Sequence, residues 1–353
     1  MKIETQDLLH ASKLLTDGHP IAIPTETVYG LAAPINNPEA IKKIFSLKER
    51  PFFDPLIVHI SDISDLWPLI KAPTPIMRIV ISSLSDTFWP GPLTMVLPKS
   101  DKINPMITSG LETVGVRCPN HPLTQSLLQM IKVPLAAPSA NKFGKTSPTS
   151  KEHVQNTWTS NEVHVLDGGP CKIGIESTVI GFEQDPVSKM LRVEIMRKGT
   201  ITQPEIRQVL EKSVTGHKIL INEVESSSSP GHTKDHYMPE KPLIIVPSSF
   251  SHFSEKSLSE LAANVPALYS DILSGAFTFI ELKLDQSPEI SSRILYSELR
   301  NLSAIESSSI IVKRMNATAY LKGEERNSGD CIWDAIWDRL KRAASFELNE
   351  TDF

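Results

Sequence analysis

Asn37-Pro38-Glu39-Ala40-Ile41-Lys42-Lys43-Ile44-Phe45-Ser46-Leu47-Lys48-Glu49-Arg50-Pro51, and then Pro55-Leu56-Ile57-Val58-His59-Ile60, read as a helix followed by a strand. Asn37 is a favoured N-cap and Pro38 suits the first helical position. Ile41, Ile44, Phe45 and Lys48 then fall at helical spacing, and Pro51 stops the pattern. Working outward, the same alternation continues. Residues 5–16 form an amphipathic helix around Leu8, Leu9, Ala11, Leu14 and Leu15, and Pro20 to Pro24 brackets a short apolar strand. Ile76, Val80, Leu84 and Phe88 lie four apart on another helix. Leu93–Leu97, Val114–Arg117, Val133–Ala137, Val163–Leu166, Ser177–Phe182 and Leu191–Met196 read as strands. Thr202-Gln203-Pro204-Glu205 is a capping box that opens a helix to about Lys212. Helices interleaved with strands predict an α/β domain around a large, twisted mixed sheet.

The pattern changes after Lys212. Residues 213–242 hold Ser226-Ser227-Ser228-Ser229-Pro230-Gly231, then Pro239 and Pro242, and read as a linker. A second alternation follows: strands at Leu243–Val246, Phe277–Leu282 and Ile310–Arg314, and helices over 288–302 and 330–345. The expected plan is a larger α/β domain over 1–212, a linker over 213–242, a small α/β domain over 243–346, and a tail over 347–353.

The 353 residues carry 36 basic and 41 acidic side chains, a formal charge of −5. An acidic total and the absence of basic runs oppose a dedicated RNA-binding face. Three distant cysteines, Cys118, Cys171 and Cys331, fit neither a disulfide framework nor a zinc ribbon. The acidic start Met1-Lys2-Ile3-Glu4 is unlike a signal peptide, and no apolar run reaches the roughly 18–20 residues of a membrane span. A cytoplasmic protein without membrane attachment is expected.

Two local motifs fail on inspection. Gly144-Lys145-Thr146 imitates a phosphate-binding loop, but Ser139 stands where the first glycine belongs and Pro148 interrupts the following helix. His232 and His236 are four apart, yet the surrounding prolines oppose a helix and no further ligand completes a metal site. A dispersed polar set is more informative. Thr25-Glu26-Thr27, Lys48, Arg50, His59, Arg117, Ser139, Asn141, Ser147, Glu176-Ser177-Thr178 and Arg197 all flank or end strands, where open α/β sheets place ligands. Several cations there suit a polyphosphate. Singly, each has a plainer reading: Lys48 and Arg50 as caps of their helix, His59 as a core histidine.

In these residues the chain resembles the threonylcarbamoyl-AMP synthase family, the YrdC-type domain in its long two-domain form. The matching stretches run in order: Pro24-Thr25-Glu26-Thr27-Val28-Tyr29-Gly30-Leu31, Lys48-Glu49-Arg50-Pro51, Pro55-Leu56-Ile57-Val58-His59-Ile60, Trp89-Pro90-Gly91-Pro92-Leu93-Thr94, Val114-Gly115-Val116-Arg117-Cys118-Pro119, Ala137-Pro138-Ser139-Ala140-Asn141, Ser147-Pro148-Thr149, Ile175-Glu176-Ser177-Thr178 and Arg197-Lys198-Gly199. Ser229-Pro230-Gly231 and His236-Tyr237-Met238-Pro239 resemble the long form's linker, and residues 243–346 resemble its C-terminal domain, which implies a catalytic domain over 1–212, a linker or lid over the active site at 213–242 and a small Rossmann-like α/β domain over 243–346. The resemblance implies synthesis of threonylcarbamoyl-AMP and pyrophosphate from L-threonine, bicarbonate and ATP. The product would pass to the tRNA threonylcarbamoyltransferase machinery, with a weak tRNA contact. It implies a catalytic set of Lys48, Arg50, Ser139 and Asn141. ATP would meet Arg50, Asp54, Thr113, Ser139, Ser147, Arg197 and Tyr237, and threonine would meet Thr27, His59, Arg117, Ala137 and Ser177. Mg2+ would come with ATP; no protein metal site and no tightly bound organic cofactor is implied. Asp54 departs from the family's usual Asn, and an acid beside phosphates repels them unless it faces a cation.

Overall fold

A computed structural model describes residues 2–185, 190–216, 218–224, 236–266, 278–284, 287–305, 308–314 and 328–348. By its contacts the chain divides into two units: Met1–Phe143 with Ser147–His232, and Gly144–Thr146 with Thr233–Phe353.

The first unit runs α1 (Lys2–Thr16), β1 (Ile21–Ile23), β2 (Gly30–Pro34), α2 (Pro38–Lys48), β3 (Ile57–His59), α3 (Pro75–Phe88), β4 (Leu93–Pro98), β5 (Thr113–Arg117), α4 (Pro122–Ile131) and β6 (Leu135–Ala136). It continues with α5 (Lys151–Gln155), β7 (His164–Val165), β8 (Thr178–Asp185), β9 (Met190–Arg197), α6 (Gln203–Ser213) and β10 (Lys218–Glu223). Its strands form one sheet in the order β10-β9-β8-β4-β5-β3-β6-β2-β1-β7. The sheet is mixed: β3/β5 and β4/β8 are parallel pairs, whereas β4/β5 and β3/β6 are antiparallel. Alternation along the strands feeds two cores. Ala22, Leu31 and Ala33 pack with Ile41, Phe45, Val58 and Val116, while Ile21, Ile23 and Ala32 pack with Leu8, Leu15 and Leu127.

Local chemistry explains how α2 delivers its last residues. Asn37 Oδ1 accepts the Ala40 N–H at 3.0 Å, and Ala40, Ile41, Ile44, Phe45 and Lys48 are buried. Glu49 then adopts a left-handed φ of 54°, and its N–H bonds back to the carbonyls of Phe45 and Ser46. That reversal puts Lys48 at the end of one turn and Arg50 at the start of the next segment. At α6, the Glu205 carboxylate accepts the Thr202 N–H at 2.8 Å, as the capping box predicts.

The second unit holds β11 (Leu243–Val246), α7 (Glu255–Asn264), β12 (Thr278–Glu281), α8 (Pro288–Ser303), β13 (Ser308–Lys313), α9 (Ser328–Ala343) and β14 (Phe346–Glu347). Its sheet is parallel throughout, in the order β12-β13-β11-β14. The run Leu243-Ile244-Ile245-Val246 is buried at every position, as a central parallel strand requires.

Several elements differ from the sequence reading. β2, α4, α5, α7 and β14 were not expected. β10 lies inside the stretch read as linker and pairs with β9 in parallel register. Leu348, read as part of the tail, is buried, and residues 349–353 lie outside the described residues. So do the serine run, Ser229-Pro230-Gly231 and His232 of the linker reading. Among the described residues no helix is long and apolar enough to cross a membrane, and no cluster of His, Cys, Asp or Glu suits a metal ion.

Candidate active site

Buried charge is costly unless it is paired or used. Among the described residues of the first unit, the buried Lys, Arg, Asp and Glu side chains are Glu26, Lys48, Arg50, Asp54, Arg117, Glu176 and Arg197. Six of the seven come from the polar set at the strand ends, Asp54 being the exception, and together they are four cations and three carboxylates. They form two linked groups.

The first group is built on the turn after β1. Thr25 Oγ1 donates to the Val28 carbonyl at 2.6 Å and accepts the N–H groups of Thr27 and Val28 at 3.1 and 3.2 Å. This turn presents Glu26 and Thr27 to Arg117, at the end of β5. Arg117 pairs with Glu26 Oε1 at 2.7 Å, donates to Thr27 Oγ1 at 2.9 Å, and reaches the Gly91 carbonyl at 3.3 Å. Glu26 Oε2 accepts the Asn120 N–H at 3.0 Å. The carboxylate that Arg117 clamps in this structure is therefore Glu26. Glu26 stood in the strand-end set but not among the expected site residues; its partnership spans 91 positions, which no local spacing displays.

His59 lies directly beside Arg117 in the parallel β3/β5 register. It is buried, and its Nδ1 is 3.2 Å from the Ile57 carbonyl. Burial, followed by the neighbouring Arg117 charge, pushes its pKa down to about 3. The imidazole is neutral at neutral pH. Ala137 follows β6, its N–H bonded to the Ile57 carbonyl at 2.9 Å. A Cβ placed on Gly30 would stand 3.2 Å from the Ala137 Cβ, so this wall is closely packed.

The second group gathers around Asp54. Arg50 pairs with Asp54 Oδ2 at 2.8 Å, and also donates to the carbonyls of Asp54 and Pro55 at 3.0 and 2.9 Å. Asp54 thus does face a cation. Burial raises its carboxyl pKa, while the charges of Arg50, Lys48 and Arg197 oppose that rise. Lys48 Nζ is not aimed at open space. It donates to the carbonyls of Ser139, at 2.6 Å, and Asn141, and its own carbonyl accepts the Phe143 N–H at 2.9 Å. Lys48 is a bracket for the Ser-x-Asn segment.

Arg197 ends β9 and grips Ser177, with Nε on its carbonyl at 3.1 Å and a terminal nitrogen on its Oγ at 3.0 Å. Ser177 Oγ also lies 2.8 Å from Thr94 Oγ1, a contact the sequence reading missed; its one signal was a threonine inside the apolar run Leu93–Leu97. Gly199 allows the grip, because a Cβ there would stand 2.4 Å from the Thr178 nitrogen. Ser147 Oγ donates to Glu176 Oε1 at 2.7 Å. Thr113, half-buried at the start of β5, lines a narrow cleft with Pro55, Ile57, Thr94 and Val179.

Tyr237 is the one expected site residue outside the first unit. It sits in the second unit with its ring buried, stacked on Tyr296 at 5.8 Å and edge-on to His236 at 4.3 Å.

The depressed His59 gives a pH prediction. Between its folded value of about 3 and its ordinary 6.5, the unfolded chain binds a proton that the folded chain does not. Stability is therefore lost as pH falls through that window, by about 1.4 kcal/mol per unit from this group. His59→Gln should flatten the slope of unfolding free energy by one proton between pH 6.5 and 4. An unchanged slope in denaturant titrations would remove His59 as the cause.

Comparison with known proteins identifies the family of the chain. A family model described as "Telomere recombination" matches residues 13–199, and one described as "Threonylcarbamoyl-AMP synthase, C-terminal domain" matches residues 201–345. The threonylcarbamoyl-AMP synthase of Bacillus subtilis is 42% identical over 252 residues, covering 70% of this chain and 69% of that protein. The Pyrococcus abyssi protein of the same name is 32% identical over 351 residues, covering 98% and 96%. A crystal structure of P. abyssi Sua5 complexed with L-threonine superposes with a TM-score of 0.74 at 30% identity, covering 98% of this chain and 97% of that one. With both of its units matched and its length spanned, the chain belongs to the threonylcarbamoyl-AMP synthase family.

Proposed function

We propose that this chain makes threonylcarbamoyl-AMP and pyrophosphate from L-threonine, bicarbonate and ATP, for transfer to tRNA beside the anticodon. The observation that carries the reading is the buried cluster of four cations and three carboxylates at the strand ends. Threonine nitrogen adds to the carboxyl carbon of bicarbonate with loss of water, giving a carbamate. A carbamate oxygen then attacks the α-phosphorus of ATP, and pyrophosphate leaves. Positioning and neutralisation of charge dominate such a transfer.

In this reading Thr27, His59, Arg117, Ala137 and Ser177 hold threonine. The neutral His59 adds no positive charge beside the amine that must lose its proton. Arg50, Thr113, Ser139, Asn141, Ser147 and Arg197 serve the triphosphate. Two expected roles become indirect. Lys48 acts by holding the Ser139–Asn141 backbone, and Asp54 acts by fixing the Arg50 guanidinium. Mg2+ fits as a companion of the triphosphate, held by phosphates and water, since Asp54, Glu26 and Glu176 are already engaged with Arg50, Arg117 and Ser147. The product goes to the tRNA threonylcarbamoyltransferase machinery, with only a weak tRNA contact by this chain. An RNA-binding module is the weaker alternative: an RNA backbone needs exposed cations, and Lys48, Arg50, Arg117 and Arg197 are buried.

Pyrophosphate release from ATP should require both L-threonine and bicarbonate. Equal turnover without the amino acid would overturn the reading.

A further inference from the structure

The loop that follows Asn141 leaves the first unit for three residues. By their contacts Gly144–Thr146 belong to the second unit, although the chain up to Phe143 and from Ser147 onward belongs to the first. Within the second unit these residues pair with Tyr237 and Met238, at the end of the stretch read as linker. Lys145 forms a parallel bridge with Met238. The Met238 N–H donates to the Gly144 carbonyl at 2.8 Å, and the Thr146 N–H donates to the Met238 carbonyl at 3.1 Å. Thr146 Oγ1 donates to the Tyr237 carbonyl at 3.2 Å. Arg300, in the last turn of α8, closes the arrangement by donating to the Thr146 carbonyl.

Two features mark the pairing as more than a surface contact. Tyr237 has a φ of 65°, a left-handed conformation that a bulky residue keeps only where its surroundings enforce it. Tyr296 and the Arg339 guanidinium pack on its ring, the latter 5.7 Å from the centroid. Arg300 donates to a neutral carbonyl, and Glu240 supplies the nearby negative charge. On either side of the pairing the loop is fixed separately. Lys48 holds Ser139 and Asn141, and Glu176 holds Ser147. Only the peptide linkage separates Thr146 from Ser147, so a shift of one moves the other.

We propose that Arg300 is a positioning residue for the reaction: by holding Thr146 on the Tyr237–Met238 segment, it sets the path of the loop that presents Ser139 and Asn141 on one side and Ser147 on the other. This rests on the reading that these three residues serve ATP.

The test uses the full chain with Arg300→Met and Arg300→Lys. In Arg300→Met, amide hydrogen exchange at residues 144–147 should quicken. The KM for ATP and the calorimetric Kd for ATP should rise about tenfold, as loss of a charge-assisted hydrogen bond implies, while the threonine KM stays within about twofold. Arg300→Lys should restore most of the ATP affinity. Unchanged ATP affinity overturns the proposal. So does an equal loss for both substrates that tracks a lower melting temperature and is not rescued by lysine. Failure of the wild-type chain to release threonine-dependent pyrophosphate would strike the functional reading instead, leaving exchange and ATP binding to judge Arg300.

Discussion

Arg117→Met is expected to destabilise the fold by about 3–5 kcal/mol, because it strands the Glu26 carboxylate in a buried site. Neither partner of this 2.7 Å pair is more than 5% exposed, so water cannot rescue the survivor. Removing both, in Arg117→Met with Glu26→Met, should recover most of that loss, since a buried ion pair and an apolar pair are of similar worth. Threonine use should not recover. The single variant should raise the threonine KM about 100-fold or more, from loss of the charge that we propose meets the substrate carboxylate and of the bond to Thr27 Oγ1. The double variant separates these effects: stability returns, threonine recognition stays lost. Steady-state kinetics and denaturant unfolding on the three proteins check it. If the double variant regains threonine affinity with its stability, Arg117 is a structural ion and the threonine carboxylate is held elsewhere.

This pair also shows what a sequence makes legible. Local rules worked where the decisive contacts were local. The Asn37-Pro38 cap, the capping box at Thr202 and the Lys48-x-Arg50 placement at a helix end are written within a few residues. They failed where an element is short or its neighbours dominate the reading. β10 carries only the short apolar run Ile219-Leu220-Ile221 between polar ends, and beside the serine- and proline-rich stretch that follows, it reads as linker; it is an edge strand with one buried residue at Ile221. β2 is built from Gly, Leu, Ala, Ala and Pro, poor strand formers that are buried here by their neighbours. Within the site, residue types were legible and partnerships were not. Arg117–Glu26, Lys48–Ser139 and Ser147–Glu176 join distant parts of the chain, and nothing in the spacing says that Lys48 faces carbonyls while Arg50 faces an acid.

Lys48→Met should be the most damaging change to ATP use. The Lys48 ammonium is fully enclosed, and it is the donor to both the Ser139 and Asn141 carbonyls. Methionine fills the space but leaves two buried carbonyls without that partner, each worth about 1–3 kcal/mol. The Ser139–Asn141 segment should then leave its place, and turnover should fall by about 100-fold or more through the ATP term. Lys48→Arg should not rescue, because a planar fork cannot replace a compact donor between two carbonyls. A pH signature identifies the group. Burial, aided by the Arg50 charge, depresses the Lys48 pKa well below its ordinary 10.5. Between the depressed value and 10.5 the unfolded chain binds the extra proton, so stability from this group rises with pH in that window and is lost as pH falls. A neutral amine still has two N–H donors, enough for both carbonyls, so the bracket survives the titration. The difference in unfolding free energy between wild type and Lys48→Met should therefore widen as pH is raised toward 10. A difference that stays constant with pH, in a variant that still uses ATP like the wild type, would show that the Ser139–Asn141 segment is held by other groups.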